Sequence, residues 1–178
     1  MLKSMKEKNG LIHLYMGTGK GKTTAALGLG LRAIGAGLQA HMIQFMKGSE
    51  SNEAKAIKQL QHFSIKNVGR NVFLTENVHE PIDEKLAQKG LNYAKNIIKK
   101  QTCDMLILDE ITIAVAFHLL KKEEVIDILK NKPAELTIVL TGRIADDEFI
   151  SLADLVTNMN EVKHPYQKGG KPKPGFDY

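Results

Sequence analysis

The densest chemistry in the chain lies in seven consecutive residues, Gly17-Thr18-Gly19-Lys20-Gly21-Lys22-Thr23. Glycines at alternate positions let the backbone turn tightly enough for successive N–H groups to converge on phosphate oxygens. A helix starting at this turn adds the positive end of its dipole, and the Lys22 ammonium adds a full charge. The Thr23 hydroxyl is then placed to hold Mg²⁺ beside the phosphates, with Thr24 completing the nucleotide-binding run. The spacing departs from the usual phosphate loop in one respect. The position five residues before Gly21 is Met16, and the glycine comes one residue later, at 17. A glycine-rich turn without a ligand is the alternative, and a strand before the run and a helix after it argue against that alternative.

Asp109-Glu110 is the second candidate. Two carboxylates directly after an apolar run lie at the carboxyl edge of a sheet, where ligands of such sheets bind. Together with Thr23 they can hold Mg²⁺ directly or through water, the metal offsetting their mutual repulsion. An acidic pair after a strand is by itself usually a solvated loop. Behind a phosphate loop it reads as the second nucleotide-binding element. Thr141-Gly142-Arg143 follows another apolar run, and from there Arg143 can spread its charge over a triphosphate through several N–H donors. A surface arginine without a ligand is the rival for that residue. The six histidines show no metal-ligand spacing, His118 reads as structural, and no serine or cysteine triad is present.

The elements that must position these groups follow from periodicity. Apolar runs at Leu11–Met16, Ala40–Phe45, Phe63–Val68, Met105–Leu108, Leu136–Leu140 and Leu155–Met159 read as strands. Between them lie helical patterns. One carries Ala25, Ala26, Leu29, Ala33 and Ile34 and stops at Gly35 and Gly37. Others span Ser49 to Gln61 and the face formed by Ile82, Leu86, Tyr93, Ala94, Ile97 and Ile98. Two helical stretches follow the acidic pair, broken near Leu120 to Lys122, and Asp146 or Asp147 is positioned to cap a short helix through Leu152. Gly69 to Pro81 has no period and is long enough for a functional loop. Strands alternating with helices predict an α/β chain with a mostly parallel sheet between two helical layers, a P-loop NTPase-like (RecA-like) domain.

The 178 residues suit one domain spanning 1–178, with a flexible segment at 1–9 and an irregular tail at 163–178. Hydrophobic and charged fractions of 43% and 25% are those of an ordinary globular chain. The net charge of +5 suits a polyanionic ligand and equally a lysine-rich surface. Its basic residues are dispersed rather than interleaved with aromatics, which excludes a recognisable nucleic-acid module. A single cysteine, Cys103, excludes an internal disulfide and an all-cysteine metal site. No apolar run approaches the ~20 residues of a membrane span or forms a signal peptide, so a cytoplasmic protein is expected.

The segments at 17–26, Ile43-Gln44-Phe45-Met46-Lys47-Gly48, Leu108-Asp109-Glu110-Ile111-Thr112, Leu140-Thr141-Gly142-Arg143, Val162-Lys163-His164-Pro165-Tyr166 and Gly175-Phe176-Asp177-Tyr178 occur in one order along the chain. In that order they resemble the corrinoid (ATP:cob(I)alamin) adenosyltransferases of the bacterial biosynthetic type. The resemblance implies transfer of the 5′-deoxyadenosyl group of ATP to the Co(I) of a corrinoid, with release of triphosphate, in adenosylcobalamin synthesis or salvage. It implies that the nucleotide lies reversed, its C5′ facing cobalt, with Lys22, Thr23, Glu110 and Arg143 serving the reaction. It also implies an electron-donating reductase, flavodoxin-like in kind, and a homodimer. Family members carry an aromatic pair after the glycine matching Gly69; here Arg70 and Val72 stand in those places, and Phe73, shifted by one residue, is the candidate corrinoid contact. Thr18 stands where the family often has asparagine.

Two other functions fit a Mg-nucleotide site. A small-molecule kinase usually closes several arginines over the transferred group, and this chain has only Arg32, Arg70 and Arg143. A nucleotide-dependent switch would use the Gly69–Pro81 loop as its moving segment.

Overall fold

A computed structural model of the chain describes residues 10–49, 51–76, 78–173 and 175–176. The expected flexible segment 1–9 and the terminal Asp177 and Tyr178 lie outside the described residues. The elements run β1 (Ile12–Met16), α1 (Lys22–Gly35), β2 (Ala40–Phe45), α2 (Asn52–Ile57), β3 (Phe63–Val68), α3 (Pro81–Lys100) and β4 (Met105–Asp109). They continue with α4 (Ile111–Ala116), α5 (Lys122–Lys130), β5 (Thr137–Thr141), α6 (Asp147–Leu152) and β6 (Leu155–Asn158).

The central strands are nearly continuous apolar runs because helices cover both of their faces. Every residue of β4 is buried. Its Leu106 and Leu108 pack into the core on one side of the sheet, Met105 and Ile107 into the core on the other. β2 repeats the alternation, with Ile43 and Phe45 on the first side and Ala40 and Met42 on the second. The first core is closed by α3, α4, α5 and α6 through Leu91, Ala114, Val125 and Phe149, the second by α1 and α2 through Ala26, Ala33 and Ile57. This is the three-layer α/β architecture expected. The sheet is wholly parallel, in the order β3-β2-β4-β5-β1-β6.

Register sets what happens at the edge. Gln44 lies opposite Asp109, and Tyr15 opposite Thr141. The carboxyl ends of β1, β2, β4 and β5 are therefore level, and the residues leaving them meet. α1 lies close over the sheet because its inward stripe is small: Ala26, Gly30 and Ala33. A Cβ at Gly30 would stand 2.6 Å from the Phe63 ring.

Several boundaries differ from the sequence expectation. α2 is only Asn52–Ile57, capped by the Ser51 hydroxyl, which accepts from Ala54 N at 3.3 Å. Beyond Ile57 the apolar face ends, since Leu60 is exposed, and the chain turns down into β3. The inward face of α3 is Asp83, Ala87, Gly90, Leu91, Ala94 and Ile97, whereas Ile82 is exposed. Pro81 is the first residue of that helix rather than the end of the loop. The tail expected to be irregular contains a 3₁₀ turn at Pro165–Lys168, whose entry is fixed by His164 Nδ1 accepting from Tyr166 N at 3.2 Å. Among the described residues no helix is long and apolar enough to cross a membrane.

Candidate functional site

The glycine-rich turn leaves β1 with Gly17 at φ 107° and enters α1 with Gly21 at φ 116° as its N-cap. Both angles lie in the region that glycine alone enters readily. The back of the turn is pinned to neighbouring strand ends. Gly17 N donates to Arg143 O at 3.1 Å, and Gly19 N to Met159 O at 2.7 Å. Gly17 and Gly19 are therefore buried against the chain leaving β6, while Thr18 and Lys20 are exposed. Lys22 Nζ curls over the front, donating to Gly17 O at 2.7 Å and Gly19 O at 2.8 Å. Burial lowers its pKa, Glu110 opposes that shift, and Arg143 adds to it. A desolvated ammonium over a ring of backbone dipoles is a ready anion site.

Asp109, the last residue of β4, is fully buried. Its Oδ1 accepts from Thr23 Oγ1 at 2.8 Å and from Thr141 Oγ1 at 2.7 Å. Its Oδ2 accepts from Gln44 Nε2 at 3.1 Å and faces Lys47 Nζ at 3.4 Å. One carboxylate thus ties α1, β2, β4 and β5 together. Glu110 turns off the strand at φ 60°, its N–H held by Thr141 Oγ1 at 2.8 Å. Such a left-handed conformation in a non-glycine residue costs about 1 kcal/mol and persists only where its surroundings fix it. Burial pushes the Glu110 carboxyl above its usual range, the Asp109 charge adds to that, and Lys22, Lys47 and Arg143 oppose it.

These groups open on one cleft of about 1290 Å³, larger than a typical small-molecule pocket. Of the residues expected from sequence, Lys20, Gly21, Lys22, Thr23, Thr24, Glu110, Arg143 and Phe73 line it. Asp109 sits beneath its floor. Gly17, Thr18 and Glu110's neighbour Asp109 are not part of the lining, and neither is Gly19. Arg143 and Phe73 are exposed, Phe73 to 89%. The same cleft is lined by Lys47, Glu53 and residues 70–73 of the loop after β3.

A profile of the family described as ATP:corrinoid adenosyltransferase BtuR/CobO/CobP matches residues 8–178. The chain belongs to that family. It is 33% identical to the corrinoid adenosyltransferase of Escherichia coli K12 over 97% of this chain and 87% of the relative. It is 34% identical to a corrinoid adenosyltransferase of Salmonella typhimurium LT2 over the same shares. A corrinoid adenosyltransferase of a Sinorhizobium species is 34% identical over 97% of this chain and 82% of its own length. The enzyme is accordingly an adenosyltransferase, and the kinase and switch alternatives lose their footing.

In this adenosyltransferase the buried supports of the acid pair are the part that sequence reasoning passed over. Gln44 appeared there only inside a segment of family resemblance, and Thr141 only as the lead-in to Arg143, yet both are fully buried and bonded to Asp109. The available signal was a polar residue ending an apolar strand, and the strand register was needed to show that these ends meet. Thr23, Asp109 and Glu110 offer a hydroxyl and two carboxylates, hard oxygen donors of the kind Mg²⁺ takes. Among the described residues no group of three or more His, Cys, Asp or Glu forms a metal cage.

Proposed function

We propose that the enzyme joins the C5′ of ATP to the cobalt of a cob(I)alamin-type corrinoid and releases inorganic triphosphate. The observation that carries this reading is the cleft itself, in which the glycine-rich turn, Glu110 and Arg143 share one lining with an exposed aromatic loop. Co(I) is the nucleophile: its electron pair forms the Co–C bond as the C5′–O bond breaks, and triphosphate leaves with the other pair. Cobalt becomes formally Co(III), and no proton has to be removed from the nucleophile. The chain's residues therefore need to orient and neutralise rather than act as a base.

Gly21, Lys22, Thr23 and Thr24 hold the triphosphate in this reading, with the nucleotide reversed so that C5′ points away from the turn. Lys22 and Arg143 offset the charge that grows on the leaving group. Thr23, Asp109 and Glu110 would hold Mg²⁺, which when bound neutralises further phosphate charge. Gly17 and Gly19 shape the turn, Lys20 and Thr18 flank it, and Phe73 faces the corrinoid. A homodimer acting in the cytoplasm, supplied with electrons by a flavodoxin-like reductase, completes the proposal. The test is anaerobic mixing of protein, Mg-ATP and chemically reduced cob(I)alamin, followed by absorbance. Formation of a light-sensitive alkylcobalamin spectrum is expected; a persistent Co(I) spectrum with ATP bound contradicts the reading.

A further inference from the structure

The loop between β3 and α3 is closed on itself by one side chain. Arg70, at its start, donates from Nε to Asp83 Oδ1 at 2.8 Å and from Nη2 to Asp83 Oδ2 at 2.7 Å. Its third arm, Nη1, reaches Glu80 Oε1 at 3.0 Å. Asp83 is 3% exposed on the first turn of α3, and its Oδ2 also accepts from Glu80 N at 2.9 Å. A two-pronged guanidinium–carboxylate fork fixes direction as well as distance. The base of the loop is equally constrained. A Cβ at Gly69 would stand 2.5 Å from Met46 C, and one at Gly48 2.5 Å from Arg70 C. The loops leaving β2 and β3 therefore touch backbone to backbone.

Between the two anchored ends the chain is pushed outward. Arg70, Asn71, Val72 and Phe73 all line the cleft that also holds Lys22, Glu110 and Arg143. Phe73 has almost no packing of its own, being 89% exposed. Its place in the cleft is thus set by the anchored ends of the loop together with the two backbone bonds that pair Thr75 with Val78.

We infer that Arg70 is a positioning residue for the corrinoid: its fork to Asp83, seated on the Gly48–Gly69 contact, holds the loop so that Phe73 faces the cleft. The inference rests on the adenosyl-transfer reading above. Arg70 borders the cleft itself, but its Nε, Nη1 and Nη2 are taken up by Asp83 and Glu80; it sets how the apolar tip of the loop meets the corrin ring and leaves the glycine-rich turn as it is.

The test is steady-state kinetics of Arg70→Met and Arg70→Lys with chemically reduced cob(I)alamin, the KM of each substrate being measured separately alongside thermal stability. Arg70→Lys keeps the charge and loses the fork. Both variants are expected to raise the corrinoid KM by about tenfold or more, the scale of a lost positioning contact, with the KM for ATP within about twofold of the parent. In the Arg70→Met background, Phe73→Ala is expected to add little further, because the two changes remove one arrangement. An unchanged corrinoid KM in folded Arg70→Met overturns the inference. So does a parallel rise in both KM values with a lowered Tm, which is the mark of general loosening. Should Arg70→Met not fold, Arg70→Lys decides by the same comparison. A parent enzyme that forms no Co–C bond overturns the adenosyl-transfer reading itself, whereas an active parent with neutral Arg70 variants overturns only the clamp.

Discussion

Lys22 is bound by the carbonyls of the turn it serves, so its ammonium is oriented before any phosphate arrives. Lys22→Ala is expected to lower kcat by about 100-fold or more, the usual loss when one preorganised charge partner of a transition state is removed. A change confined to the KM for ATP would show that Lys22 only binds. Cys103 makes the opposite prediction, of inertness. Burial pushes its thiol up to about 12, with Asp104 adding to the shift. Because the thiolate is the reactive form, a disulfide reagent at pH 8 should modify the native thiol at least about 100-fold more slowly than the unfolded one; equal rates would contradict the burial. At this scale the sequence was most readable where a motif marks the residue type, as in Lys22 of the glycine-rich turn and in Thr23 and Asp109, which the structure joins by a hydrogen bond. It was least readable for Gln44, Thr141 and Asp83, polar groups whose partners lie on other elements. Arg70 likewise stood out as a missing aromatic, and only the structure gives it carboxylate partners.

At the level of elements, two glycines of α1 separate packing from propensity. Gly28 has nothing within 4 Å of where a Cβ would lie, whereas Gly30 has the Phe63 ring at 2.6 Å. Gly28→Ala should therefore stabilise the fold by up to about 1 kcal/mol. Gly30→Ala should destabilise it by about 1–3 kcal/mol through overpacking. Thermal unfolding of the two variants checks both signs. The loop before α3 carries a pH dependence. Arg70's hydrogen bonds hold Asp83 below its usual carboxylate range, against the opposing effect of burial, with Glu80 N and the His79 charge also lowering it. A depressed carboxylate contributes stability that is complete above its unfolded pKa and is lost as pH falls through its folded pKa. Amide exchange in residues 71–76, corrected for its intrinsic pH dependence, should therefore lose protection only below the ordinary Asp range. Loss near neutrality would assign the loop's order to another group. Strand positions were legible to within a residue because β2 and β4 are buried on both faces and so read as short, nearly continuous apolar runs with abrupt ends. The extent of α2 and the inward face of α3 were not, since small residues such as Ala87 and Gly90 pack inward without standing out as apolar.

For the whole molecule, the parallel class followed from alternation of strands and helices, but the neighbour order did not. Nothing in the spacing of β1 and β5 says that they pair, and that pairing is what brings Thr141 and Arg143 beside the phosphate turn. If the nucleotide binds across these elements, Mg-ATP should raise the unfolding free energy by about 2.7 kcal/mol at a hundredfold excess over Kd. Replacing Mg²⁺ with a chelator should remove much of that gain, and an equal gain without the cation would speak against the acid pair as its site. The central claim concerns which bond of ATP is broken. The measurement that tests it most directly is ³¹P NMR of an anaerobic reaction with Mg-ATP and chemically reduced cob(I)alamin. Intact triphosphate appearing in step with adenosylcobalamin is the result predicted here; ADP and orthophosphate as the primary products would contradict it.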